Sequence, residues 1–144
     1  MDAYFDSAII VKLYVQEATS PDAIQLVGAY VAPYLLTQWQ ELEAKNAIRL
    51  KAFRAEITTA EMNQSIAAFE QDLAAGRWQR PAYTASTLEL KAAELSAGYS
   101  ASLGCRTLDI IHVAAAVALG AKEFVTFDGR QGALAKKVGL TVRP

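Results

Sequence analysis

Apolar positions along the chain fall into short runs and helical stripes. Residues 3–6 read as a short strand, Ala3-Tyr4-Phe5 closing on Asp6. The next run, Ala8-Ile9-Ile10-Val11-Lys12-Leu13-Tyr14-Val15, fits strand or helix; its length and the capping oxygens of Asp6 or Ser7 tip it to helix. Ser20-Pro21 opens a second helix over about 20–29, with Pro21 at the tolerated first position. Residues 32–36 read as another short strand. Thr37…Gln40 and Thr58…Glu61 both have capping-box spacing. The first starts a helix that carries Leu42, Ala47, Ile48 and Leu50 and ends near Arg54. The second aligns Met62, Ile66, Phe69 and Leu73 on one face and runs to Gly76. Trp78-Gln79 is a brief edge strand, and 84–100 is helical again, marked by Leu88, Ala92 and Leu95. Beyond Gly104, Thr107 caps a strongly apolar helix that Gly120 stops. Residues 123–127 form a strand running into Asp128, 131–138 a short helix, and 140–142 a last strand.

Strands alternating with helices predict an α/β domain with a mainly parallel sheet. No stretch reads as a linker, so residues 1–144 are expected to form one domain. In parallel sheets ligands bind beyond the carboxyl ends of the strands. Asp6 and Asp128 both stand at such ends, each followed by a helix. A carboxylate beside a core is costly unless something pairs with it, and here it is built twice.

Composition narrows the chemistry. A net charge of −1 leaves any nucleic-acid contact to a local basic patch. The single cysteine, Cys105, excludes an internal disulfide and a cysteine-based metal cluster. The N-terminus has no signal-peptide pattern, and the longest apolar run, 113–119, is far short of the ~20 residues that span a bilayer. The expectation is a cytoplasmic domain with no membrane segment.

Two further acids occupy unusual places. Glu43 lies one turn into the third helix, and Asp109 opens the apolar helix among Leu108, Ile110, Ile111 and Val113. An acid in a first turn complements the helix dipole, which explains Glu43 as well as a site would. Asp109 has little water-facing helix to explain it. Two carboxylates ~4 Å apart repel by about 4 kcal/mol at an effective dielectric near 20. A cluster of them would weigh heavily on a domain whose whole stability is ~5–15 kcal/mol. Protonation or a divalent cation relieves it, and an all-oxygen donor set suits Mg²⁺ or Mn²⁺ rather than Zn²⁺. Ser7 and Thr126 adjoin the strand-end acids, as supporting hydroxyls or as caps. His112, the only histidine, reads as a core residue near the face of Asp109. Acyl-transfer triads and nucleotide-binding glycine loops have no support. Lys12, Arg49 and Arg130 are the basic residues placed to hold phosphate, with Lys45, Lys51 and Arg54 recurring along the Glu43 helix.

Tyr4-Phe5-Asp6-Ser7-Ala8 with Val11-Lys12-Leu13-Tyr14, then Glu43 with Asn46-Ala47, then Arg106-Thr107-Leu108-Asp109-Ile110-Ile111-His112-Val113-Ala114-Ala115-Ala116, then Val125-Thr126-Phe127-Asp128, together resemble the PIN-domain nucleases. The nearest likeness is to the VapC-type toxins of bacterial type II toxin–antitoxin pairs, and it covers nearly the whole chain in order. The resemblance implies a Rossmann-like, three-layer α/β/α sandwich and Mg²⁺-dependent cleavage of RNA. It also implies a cognate antitoxin and a homodimer. Asp6, Glu43, Asp109 and Asp128 match the family's acidic quartet, and Ser7 and Thr126 its hydroxyl positions. Glu41 also lies near the second acidic position; Glu43 is chosen because Ala47 follows it by four residues, as in the family pattern.

The expected activity is that of an endoribonuclease in which Asp6, Asp109 and Asp128 hold the metal and Glu43 assists directly or through water. The metal would activate the attacking water and neutralise phosphoryl charge. A haloacid-dehalogenase-like phosphatase would use Asp6 as nucleophile but wants a second acid two residues on, where Ala8 stands. A non-catalytic binding module would keep the acids for structural reasons and dock a partner on its apolar surface.

Overall fold

The computed structural model describes residues 2–144. In chain order the elements are β1 (Ala3–Phe5), α1 (Ser7–Tyr14), α2 (Ser20–Gly28), β2 (Tyr34–Leu35), α3 (Gln38–Phe53), α4 (Thr59–Ala74), β3 (Trp78–Gln79) and α5 (Ala85–Leu95). A π-helical turn, Ser96–Ser100, leads into the short α6 (Ala101–Leu103). Then come α7 (Thr107–Ala118), β4 (Glu123–Val125), α8 (Gly129–Lys137) and β5 (Thr141–Arg143). The fold is mixed α/β with parallel strands, as the alternation predicts. The sheet itself is small: β1, β4 and β5 pair in that order, and β2 pairs with β3 separately, all in parallel.

Both predicted capping boxes form, Thr37 with Gln40 and Thr58 with Glu61. Several boundaries differ from expectation by a residue or two, and three differences change the reading. The strand predicted over 32–36 shortens to Tyr34–Leu35. The helix predicted over 84–100 leaves α geometry after Leu95 and widens into the π turn. Thr107 is the first residue of α7 rather than its cap. Arg106 takes the cap position, and its backbone N–H donates to the Asp109 carboxylate at 3.0 Å.

Side-chain alternation along the strands divides the apolar residues between two cores. Ala3, Phe5 and Val125 join Ile9, Ile10, Ile48, Phe69 and Trp78 in one. Tyr4, Leu35 and Phe124 join Leu88, Val113, Ala114 and Leu134 in the other. α1 to α4 therefore cover one set of strand side chains, and α5, α7 and α8 the other. Burying both faces is why these strands are continuous apolar runs. β1 and β2 lie against each other. Gln40, just past β2, donates from Nε2 to the Phe5 carbonyl at the end of β1 at 2.7 Å. The carboxyl ends of these two strands are thereby joined. Among the described residues no helix is long and apolar enough to cross a membrane.

Candidate functional site

Strand register brings the first two site residues together. Phe5 is paired with Val125, so the next residues, Asp6 and Thr126, leave the sheet side by side. The Asp6 N–H still donates to the Val125 carbonyl at 3.0 Å, and the Thr126 N–H to that of Arg143 at 2.9 Å. Thr126 Oγ1 donates to Asp6 Oδ2 at 2.5 Å and accepts from the Asp128 N–H at 2.9 Å. The other Asp6 oxygen accepts from the Ala8 N–H and caps α1. Asp128 caps α8 in the same way, its Oδ1 accepting from the backbone N–H groups of Arg130 and Gln131. Each strand-end carboxylate therefore does the work of a helix cap, and the Thr126 hydroxyl links the Asp6 carboxylate to the Asp128 backbone.

Asp6 is 2% exposed. Burial drives its carboxyl above the ordinary aspartate range, and the hydrogen bonds from Thr126 and Ala8 and the nearness of His112 only partly offset this; Glu43 adds to the rise. Asp109 is buried too, yet its carboxyl lies below the ordinary range. Burial alone would raise it, but bonds from the Arg106 backbone, the Arg106 guanidinium at 3.2 Å and Gln131 Nε2 at 3.2 Å outweigh that cost. Arg106 also reaches Asp128 Oδ2 at 3.6 Å. One guanidinium therefore serves both acids as counter-charge.

Glu43 is oriented by a different group. Its Oε2 lies 2.6 Å from His112 Nε2, and His112 Nδ1 lies 2.8 Å from the Tyr4 hydroxyl. Burial holds the Tyr4 phenol well above its ordinary range, so the phenol keeps its proton. The Glu43 carboxylate can only accept, which assigns the neutral imidazole's proton to Nε2 and leaves Nδ1 to accept from the phenol. Ser7 Oγ stands 3.4 Å from the same nitrogen. His112 is a fully buried core residue, as expected, and it also touches the site.

The four predicted acids and both hydroxyls thus fall into two sets near the ends of β1 and β4: Asp6, Thr126, Asp128 and Asp109 joined through Arg106, and Ser7 and Glu43 joined through His112. They do not form a ready-made cage: among the described residues no three or more acid, histidine or cysteine groups stand close enough to grip a metal ion. The expected basic patch is largely neutralised. Lys12 is bound to Glu17 at 2.6 Å, Lys45 to Glu41 and Glu70, Lys51 to Glu17 and Glu56, and Arg54 to Glu56. Arg49 and Arg130 are exposed and have no ion pair among the described residues.

Sequence reasoning missed three participants. Arg106 was hidden as the residue before a helix, and Tyr4 as one apolar member of a strand. Gln131 looked like an ordinary surface position of a short helix. It is buried; its Nε2 holds Asp109, and its Oε1 has no hydrogen-bond partner. A buried amide oxygen without a partner is costly, and beside carboxylates it is a further hard donor. No protein-family model matches the chain, and no curated protein matches it.

Proposed function

We propose that this chain is a metal-dependent endoribonuclease with a PIN-like, three-layer sandwich, the toxin member of a toxin–antitoxin pair. One observation carries the reading. Asp6, Asp109 and Asp128, far apart in sequence, are linked through Thr126 and Arg106 at the carboxyl ends of adjacent parallel strands, with Glu43 oriented beside them.

The donors fit a hard divalent cation. They are carboxylates, hydroxyls and the partnerless Gln131 Oε1, with no thiolate among them and the one imidazole engaged on both nitrogens. Asp6, Asp109 and Asp128 would hold Mg²⁺ or Mn²⁺. When bound, such an ion lowers the pKa of a coordinated water and neutralises charge developing on the phosphoryl oxygens. The chain's own residues do the rest. Thr126 and Ala8 fix the Asp6 carboxylate, and Gln131 fixes that of Asp109. His112 Nε2–H holds Glu43 Oε2, which leaves Oε1 to accept a proton from the attacking water. Arg106 is the counter-ion of Asp109 and Asp128 without a cation. Its side chain is 65% exposed, so on release it can turn to a backbone phosphate, as can Arg49 and Arg130. Lys12 is left out of this role by its pairing with Glu17.

A partner surface is supported by α3, where Leu42, Leu50 and Phe53 are exposed along one side of the helix. An antitoxin segment or a second copy would cover them. The phosphatase reading loses ground, because position 8, where it wants a general acid, is an alanine that offers only its backbone N–H to Asp6.

The test mixes purified protein with single-stranded RNA and Mg²⁺, beside an Asp6→Asn variant. Wild-type cleavage that stops in EDTA and in the variant is expected. Equal cleavage by both proteins refutes the assignment.

A further inference from the structure

Beside the acidic site lies a cavity of about 540 Å³ that none of the chemistry above uses. It opens beyond the carboxyl ends of β2 and β3. Leu36, Gln38 and Trp39 supply one wall, the segment after β3 with Arg80 and Tyr83 another, and Leu88 and Ile111 the floor. Its size is that of an ordinary small-ligand site.

Its position relative to the acids follows from contacts already described. The Gln40–Phe5 hydrogen bond joins the end of β2 to the end of β1, so cavity and acids share one edge of the molecule. On α3, Trp39 precedes Glu43 by one turn on the same face. On α7, Thr107 lines the cavity and Arg106, next in the chain, holds Asp109 and Asp128. A polymer whose phosphate lies at the acids therefore reaches the cavity with a group attached close to that phosphate.

We infer that this cavity is a nucleobase subsite, which receives a base of single-stranded RNA next to the phosphate at the acidic centre. The inference rests on the ribonuclease reading for the identity of the polymer. The lining favours a planar base over an aliphatic side chain. Trp39, 36% exposed at the rim, and Tyr83 offer aromatic faces, and Gln38 and Thr107 carry donors and acceptors for a base edge. Arg80 lines the cavity but its guanidinium is bound to Glu41 at 2.7 Å, so the cation left for the sugar–phosphate backbone is Arg106, 65% exposed and next in the chain to the lining residue Thr107. Unpaired bases have exposed faces and duplexes do not, so the subsite selects single strands.

Binding and cleavage test it separately. A short fluorescein-labelled RNA is titrated by anisotropy in EDTA against wild type, Trp39→Leu and Tyr83→Leu. Trp39→Leu and Tyr83→Leu should each weaken binding by about 5- to 150-fold, the range for removing a base–aromatic stack. Unlabelled RNA should quench Trp39, since the other tryptophan, Trp78, is buried. Melting curves show that the two aromatic variants fold. Unchanged affinity in both variants, or no RNA binding at all, overturns the subsite. So does an apolar peptide that fills the cavity while RNA still binds. RNA binding that depends on Trp39 without any Mg²⁺-dependent cleavage supports the subsite and sinks the ribonuclease reading. Cleavage with KM unaltered in Trp39→Leu sinks the subsite alone.

Discussion

Tyr4→Phe removes one oxygen atom from the centre of the protein and tests how Glu43 is held. The ring should stay, because it is stacked on Phe124 with centroids 5.4 Å apart and is fully buried. The loss falls on His112. Its Nδ1 accepts the Tyr4 proton at 2.8 Å, and in the variant that nitrogen is buried with no partner. Leaving a buried acceptor unsatisfied costs about 1–3 kcal/mol. A chain of 144 residues unfolds with an entropy near 0.3 kcal/mol/K, so the melting temperature should fall by roughly 3–10 °C. The second consequence is chemical. Without a donor at Nδ1 the imidazole can move its proton there and stop donating to Glu43. His112 is the only histidine, so histidine-selective ¹⁵N labelling gives one ring and no assignment problem. Wild type should show Nε2–H with an acceptor-type Nδ1; the variant should show a mixture of tautomers and a lower kcat with KM little changed. An unchanged melting temperature together with an unchanged ring spectrum would refute the network.

Two other perturbations probe separate parts of the structure. Thr126→Val keeps the shape but removes the hydroxyl that donates to Asp6 and accepts from Asp128; stability should fall by about 1–3 kcal/mol, read by urea unfolding. Glu17 lies between Lys12 and Lys51 at 2.6 Å from each; burial alone would raise its carboxyl, but the two ammonium groups hold it below the ordinary glutamate range. A carboxyl lowered in the folded state adds stability above its unfolded pKa, about 4.3, and loses it as pH falls through the folded value. Glu17→Gln should therefore be less stable than wild type at pH 7, by up to about 1 kcal/mol, and the difference should shrink as pH falls below the unfolded pKa and vanish below the folded one. A difference that persists at low pH would place the effect in packing rather than charge.

The sequence by itself determined the local elements and nominated the acids. Helical stripes, two capping boxes, and Asp-ended apolar runs are short-range facts, written in neighbouring residues. They sufficed for the α/β class and for picking out Asp6, Asp109 and Asp128. The tertiary structure decided what those acids touch. That Phe5 pairs with Val125 depends on how the strands align, and only this register sets Thr126 against Asp6. Gln131, Tyr4 and His112 acquired roles from partners 22 to 108 residues away in the chain, which no local pattern encodes. One expectation was reversed by nearer neighbours. Lys12, Lys45, Lys51 and Arg54 read as a basic patch along the chain, but each pairs with an acid two to five residues away, and Glu17 and Glu70 add longer-range partners to Lys51 and Lys45. Backbone preferences are fixed by adjacent residues, whereas the protonation of a buried carboxylate is fixed by whatever the fold packs around it. Asp6 was legible as unusual from its neighbours; its raised carboxyl came from burial and from Glu43, against the opposing pull of Thr126, Ala8 and His112.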